Sequence, residues 1–177
     1  MVLGMSLAAF TLFHVVLSLV GIAAGLVVLG GMFGSKRLPG WTAVFLVTTI
    51  LTSVTGFFFP FTKLLPSHIV GIISLVVLGV AVLALYVYRV AGAWRWVYVA
   101  TAVLALYLNV FVLVVQGFLK ISFLNALAPT QSEAPFVLAQ AVVLLAFVAL
   151  GVLAIRSFHP GVNIPAVGHV TGRLDRS

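Results

Sequence analysis

The side chains in this sequence able to do chemistry are few, and two histidines lead them. His14 and His68 each stand near one end of a long apolar run. Imidazole is an ordinary axial ligand of haem iron, and helical bundles hold cofactors between facing side chains in their cores. His14 and His68 together therefore offer axial ligands for a b-type haem or ligands for another metal. Adding Glu133 makes a two-histidine, one-carboxylate set of the kind that iron and zinc enzymes use. Each residue also has a plainer use. The histidines suit an interface where a neighbour or headgroup water hydrogen-bonds them, and Ser67 can cap a helix beside His68. Thr130-x-x-Glu133 has the spacing of a capping box, with Pro135 suited to the first turn that follows.

A second group is amide-bearing. Asn109, Gln116 and Gln140 lie within apolar runs, where such groups hydrogen-bond across helices for about 0.6–2 kcal/mol each. The sharper use has them orient a ligand entering from outside, with Lys120 attracting an anionic or quinone-like headgroup. The plain use of Lys120 is a lysine that snorkels to an interface. His159 and His169 fall in a polar tail, ten residues apart, and read as solvated.

Much chemistry is excluded by residue type. There is no cysteine, so disulfides, thiolate metal sites and cysteine nucleophiles are absent. No acid lies within an apolar run to relay protons, and no lysine lies mid-run to form a Schiff base. Phosphate-binding loops, Gly-x-Ser-x-Gly and His-Glu-x-x-His motifs are all missing. Nothing in the sequence argues positively for an enzyme.

The elements that hold these residues follow from composition. Of 177 residues, 64% are hydrophobic and only 6% charged, far below the roughly 25% charged of a soluble domain. The mean hydropathy is +1.35. The net charge of +7 has no basic cluster longer than Lys36-Arg37, which argues against nucleic acid as a partner. Apolar runs long enough to cross a bilayer occur at about 5–34, 41–60, 67–88, 96–118 and 135–155, and residues 158–177 form a short flexible tail. The sequence thus predicts an all-α bundle of five transmembrane helices spanning residues 1–157. The first 35 residues carry no Lys or Arg, so the first run reads as a retained span and not a cleaved signal.

Positive charge sets the orientation. Lys36, Arg37, Arg89, Arg95, Arg156, Arg173 and Arg176 fall on one side and only Lys63 and Lys120 on the other, which predicts N-out and C-in. Trp41, Trp94, Trp96, Tyr86, Tyr88 and Tyr98 gather at the basic ends as an interfacial belt, and Phe57 to Phe59 with Phe61 thicken the far end of the second span. His14, His68, Gln116 and Glu133 each stand 21 to 23 residues from a basic residue at the inner side. At 1.5 Å per residue that is about 30 Å, one hydrocarbon thickness, so all four belong to one outer layer. Gly21-x-x-x-Gly25 predicts a close helix approach on the face that carries His14 and Ser18. Tyr98, Asn109, Gln116 and Lys120 align on the fourth span, and Thr48, Thr52 and Thr55 beside Thr49 and Ser53 on the second. Aligning His14 with His68 also aligns Gly25 with Gly79, as a duplicated two-helix hairpin would.

With Leu65-Pro66-Ser67-His68-Ile69-Val70-Gly71 and Ala128-Pro129-Thr130-Gln131-Ser132-Glu133 as its most distinctive stretches, the chain resembles the small uncharacterised multi-span proteins of bacterial inner membranes. That resemblance implies a location and no activity. A looser similarity to haem-carrying bundles rests on His14 and His68 alone, where the diheme pattern has four histidines. The expectation is a non-enzymatic inner-membrane protein that binds a small amphiphile in an outward-facing polar pocket, lined by His14, His68, Asn109, Gln116, Lys120, Glu133 and Gln140, or that serves as an accessory subunit. Its partners would be the lipid bilayer and a membrane-protein partner or second copy, with residues 119–134 as the contact surface. One alternative is an electron-transfer subunit holding haem b and exchanging electrons with quinone; another is a metal-dependent membrane enzyme.

Overall fold

A computed structural model describes residues 2, 4–59 and 66–161. Lys63, Phe61, His169, Arg173, Arg176 and most of the polar tail, and with them the expectations attached to them, lie outside the described residues. The helices are α1 (Leu7–Phe33), α2 (Pro39–Gly56), α3 (Pro66–Val82), α4 (Trp94–Lys120), α5 (Ser122–Leu127) and α6 (Ala134–Ser157). α3 runs on through a π turn at Leu83–Val87. Five of these helices are long and apolar enough to cross a membrane. No strand occurs among the described residues beyond an isolated bridge between Val2 and Met5.

Each boundary has a local cause. Ser6 caps α1 by accepting from the Ala9 amide at 3.2 Å. Pro39 opens α2 at a position where its missing N–H costs nothing. α3 begins at Pro66, ahead of Ser67, and the cap expected of the Ser67 side chain is outside what is described. The stretch 119–134, expected as one long loop, is largely helical. α4 continues to Lys120, the extended backbone at Ile121 breaks it, and α5 follows at once. Asn125 fastens α5 back to α4 by donating to the Phe118 carbonyl at 3.1 Å.

α4 is the central helix: it packs against α1, α3, α5 and α6. α2 lies between α1 and α3, which have little contact with each other. α6 leans on α4 and, less, on α1, and among its side chains only Gln140 and Ala154 are buried. The apolar core fills the basic half of the bundle, from Ile22 and Leu106 down to Met32, Val90 and Phe158. Its closest packing is at α1. A Cβ on Gly25 would stand 2.6 Å from Leu106 Cδ1 and 2.9 Å from the Phe45 ring, and Phe45 is only 1% exposed. Gly21 and Gly25 are thus where α1 meets both α2 and α4, because only a bare Cα fits. Gly79, the partner of Gly25 in a duplicated-hairpin alignment, would meet nothing within 4 Å. The two glycines share a place in the alignment and not a packing role.

The contrast is testable by thermal unfolding in detergent. Gly25→Ala should cost about 1–3 kcal/mol by overpacking. Gly79→Ala should be neutral or stabilising by up to about 1 kcal/mol through helix propensity. Equal effects at the two sites would contradict this account of α1 packing.

Candidate functional site

Polar side chains converge on α2 because it carries five hydroxyls in eight residues, from Thr48 to Thr55. Most donate to their own helix: Thr48 to the Val44 carbonyl at 2.7 Å, Thr52 to Thr48 at 2.8 Å, Ser53 to Thr49 at 3.0 Å and Thr55 to Leu51 at 2.7 Å. A hydroxyl whose proton is so committed still has lone pairs for a neighbour. Thr55 Oγ1 uses one to meet His14 Nδ1 at 2.8 Å. Since the Thr55 proton goes to Leu51, His14 is assigned as the Nδ1–H donor. Its ring edge meets Phe59, with centroids 5.2 Å apart and planes at 89°.

His68 is 5% exposed and tilts against Phe57 at 5.6 Å between centroids. Ser53 on the same side of α2 hydrogen-bonds Ser74 of α3 at 3.0 Å. Thr55 and Phe57 are two residues apart, about 200° around a helix. His14 thus meets Thr55 and Phe59, and His68 meets Phe57. A bis-histidine haem needs both rings facing one iron, and the two rings pack against different side chains near the end of α2. Among the described residues no three of His, Cys, Asp and Glu gather as a metal cluster, so Glu133 does not join them.

Glu133 is spent on the loop before α6. Oε1 accepts from the Thr130 amide at 3.1 Å and the Thr130 hydroxyl at 2.8 Å, and Oε2 accepts from the Ser132 amide at 3.1 Å. The expected capping box is altered. Glu133 itself is the N-cap residue of α6, and its side chain reaches backward without capping an α6 amide. Partial desolvation favours the neutral acid, but the hydrogen bonds from Thr130 and the backbone amides outweigh it, leaving the carboxyl below its ordinary pKa.

The amides separate as well. Asn109 is buried in mid-bundle, where its Oδ1 accepts from Ser18 Oγ at 2.9 Å. Thr48, Thr49 and Asn109 crowd the bare Cα of Gly21: a Cβ there would meet Thr48 Oγ1 and Thr49 Oγ1 at 3.1 Å and Asn109 Nδ2 at 3.2 Å. Gln140 donates to the Phe111 carbonyl at 3.2 Å, tying α6 to α4. Gln116 and Lys120 are exposed on α4. The aligned stripe on that helix thus divides, with Tyr98 and Asn109 inward and the outer two residues outward. Of the seven candidates, His14, Asn109 and Gln140 hydrogen-bond a neighbouring helix, His68 is buried against Phe57, Glu133 bonds within its own loop, and Gln116 and Lys120 are exposed.

A cavity of about 210 Å³ lies instead at the basic end. Lys36 and Arg37 line it from the α1–α2 turn, Thr42 from the first turn of α2, Tyr86 from the π turn and Tyr98 from α4, with an apolar lining that includes Met32. The sequence assigns Tyr86 and Tyr98 to an interfacial belt, and nothing in it marks the π turn that sets Tyr86 at the cavity. Around the cavity the chain ends are fastened through backbone carbonyls. Arg95 donates to Ile155, at 2.9 Å, and to Phe158, closing the end of α6. Ser35 donates to the Ser157 carbonyl at 2.6 Å and accepts from the His159 amide at 3.1 Å. Tyr88 stacks flat on Trp94 with centroids 3.7 Å apart.

No protein-family model, curated protein or solved structure matches this chain.

Two predictions follow from the fastenings. A double-mutant cycle with Ser18→Ala and Asn109→Ala should give a coupling near 0.6 kcal/mol and no more than about 1.7 kcal/mol. A coupling indistinguishable from zero would show that the mid-bundle bond carries no stability. A nuclear magnetic resonance titration of Glu133 should place its midpoint below the ordinary carboxylate value. Because the folded pKa is depressed, the loop's support is present above the unfolded pKa and is lost as pH falls through the folded one. A midpoint at or above the ordinary value would contradict the three-bond geometry.

Proposed function

We propose that this chain is an integral membrane protein of the bacterial inner membrane that performs no chemistry of its own and binds a small amphiphile at its basic end. Five apolar helices support the membrane reading. The excess of Lys and Arg at one side supports an outside N-terminus and a cytoplasmic C-terminal tail. The observation that carries the binding reading is the cavity of about 210 Å³ between the α1–α2 turn, the π turn and the start of α4. It joins cationic and hydroxyl groups at its mouth to apolar side chains below, the two chemistries that an amphiphile brings. This places the proposed pocket at the cytoplasmic side, opposite the outward layer that the histidines suggest.

The absence of cysteine makes topology simple to test. A membrane-impermeant maleimide on intact cells should label Ser122→Cys and spare Gly161→Cys until the membrane is opened. The reverse result would invert the orientation. Native mass spectrometry of the chain extracted in mild detergent should find an amphiphile above the 18.8 kDa of the protein. Leu85→Trp, which fills the cavity from the π turn, should abolish that added mass without unfolding the bundle. Retention of the amphiphile in a folded Leu85→Trp variant would remove the cavity from the reading.

A further inference from the structure

We infer that the cavity at the basic end is a site for the anionic, phosphate-bearing headgroup of its ligand, an inference that rests on the amphiphile-binding reading above.

Charge is the first argument. Lys36 and Arg37 line the cavity. The chain has two acids. Glu133 is at the other end of α6, bonded within its own loop, and Asp175 lies outside the described residues. Arg95 is occupied by the carbonyls that close α6. Arg37 makes one long bond, 3.3 Å to the Arg89 carbonyl, and the Lys36 ammonium has no partner among the described residues. Two cationic donors therefore line the cavity with no carboxylate beside them among the described residues.

Helix ends add to the same field. α2 and α4 both start at this end, with no side-chain cap and no acidic residue in the first turn of either. A helix N-terminus carries partial positive charge and is favoured by an anion, and adjacent cations oppose it. Lys36 and Arg37 precede α2 and Arg95 is in the first turn of α4, so like charges accumulate there with no acidic side chain beside them among the described residues. An anion in the cavity would relieve that repulsion.

Shape and backbone argue for a headgroup. The volume is below the roughly 300–1,000 Å³ of a site that encloses a drug-sized ligand. It suits a headgroup whose acyl chains stay outside the cavity, with Val28, Met32 and Leu85 as its apolar lining. Thr42 and Tyr98, both buried, supply hydroxyls in its wall. The other wall is irregular: the π turn gives way to left-handed backbone at Arg89 (φ 50°) and Val90 (φ 62°). Left-handed backbone is costly at a β-branched residue, and both it and π turns concentrate at functional sites. Here Val90 is held by burial and by a 2.9 Å bond from its amide to the Ala84 carbonyl. Basic pockets between helix ends at the cytoplasmic side are a recurrent way to hold phospholipid headgroups.

The test titrates the full chain, delipidated in a non-ionic detergent, with short-chain phosphatidylglycerol, short-chain phosphatidylcholine or inorganic phosphate, read by native mass spectrometry. Phosphatidylglycerol should bind at least five-fold more tightly than phosphatidylcholine. Lys36→Gln and Arg37→Gln should each weaken phosphatidylglycerol about five-fold and leave phosphatidylcholine unchanged. Lys120→Gln, at the other end, should change neither, and melting temperatures check that all three variants fold. Inorganic phosphate binding as tightly as phosphatidylglycerol, with the same dependence on Lys36 and Arg37, would support the shared chemistry and identify free phosphate as its source. Equal binding of the two lipids, insensitive to Lys36 and Arg37, would overturn the headgroup inference while leaving amphiphile binding intact. Binding of none of the three would overturn both.

Discussion

The nearness of α1 to α2 and α4 constrains everything that packs around it. Two bare Cα atoms one helical turn apart, Gly21 and Gly25, let Phe45 and Leu106 close over α1 from two sides. In an apolar surround, helices gain little from merely hiding hydrocarbon, so association depends on close van der Waals contact and on hydrogen bonds between helices. Gly25 supplies the first. One turn away, Gly21 makes room for the second, because the contact that brings Thr48, Thr49 and Asn109 together also brings Asn109 to Ser18. Dry core and polar node thus meet on one face of α1, and α4 becomes central because it completes both.

α2 extends that logic toward the far end. Threonine and serine within a helix return their proton to a carbonyl one turn back, which leaves an acceptor facing outward. Thr55 offers its acceptor to His14, and Ser53 turns instead to Ser74. A single helix so fastens α1 on one flank and α3 on another without any charged group. That arrangement accounts for the histidines as structural partners. An imidazole that donates to a hydroxyl while packing edge-on against Phe59 is held in place by ordinary contacts.

The two ends of the bundle are electrically unlike. At one, Glu133 is consumed by its own loop and Gln131 anchors that loop by donating to the Val115 carbonyl at 3.0 Å. At the other, basic side chains meet helix N-termini, and among the described residues the acceptors that bond them are backbone carbonyls. Carbonyls carry no net charge, so they orient a guanidinium without neutralising it. The cavity lies where that imbalance is greatest, and this is why a ligand reading attaches there and not to the histidines.

The number of long apolar helices, the turns between them and the glycine approach on α1 were legible in sequence, because each depends on local quantities: run length, Pro and Gly punctuation, and spacing at the helical repeat. The mid-bundle use of Asn109 and Ser18 was half legible, since a polar residue in an apolar run must turn inward but its partner is not written beside it. The depth count ranked His14, His68, Gln116 and Glu133 together because it measured distance along helix axes. It contained no rotation of one helix about another, and rotation separates the four. The two imidazoles rest against different side chains, Thr55 and Phe57, and Gln116 turns to the surface. The cavity was illegible for a related reason. A π turn at the end of α3 sets Leu85 and Tyr86 in its wall, and that turn packs on α4, a contact that the residues Leu83 to Val87 do not reveal by themselves.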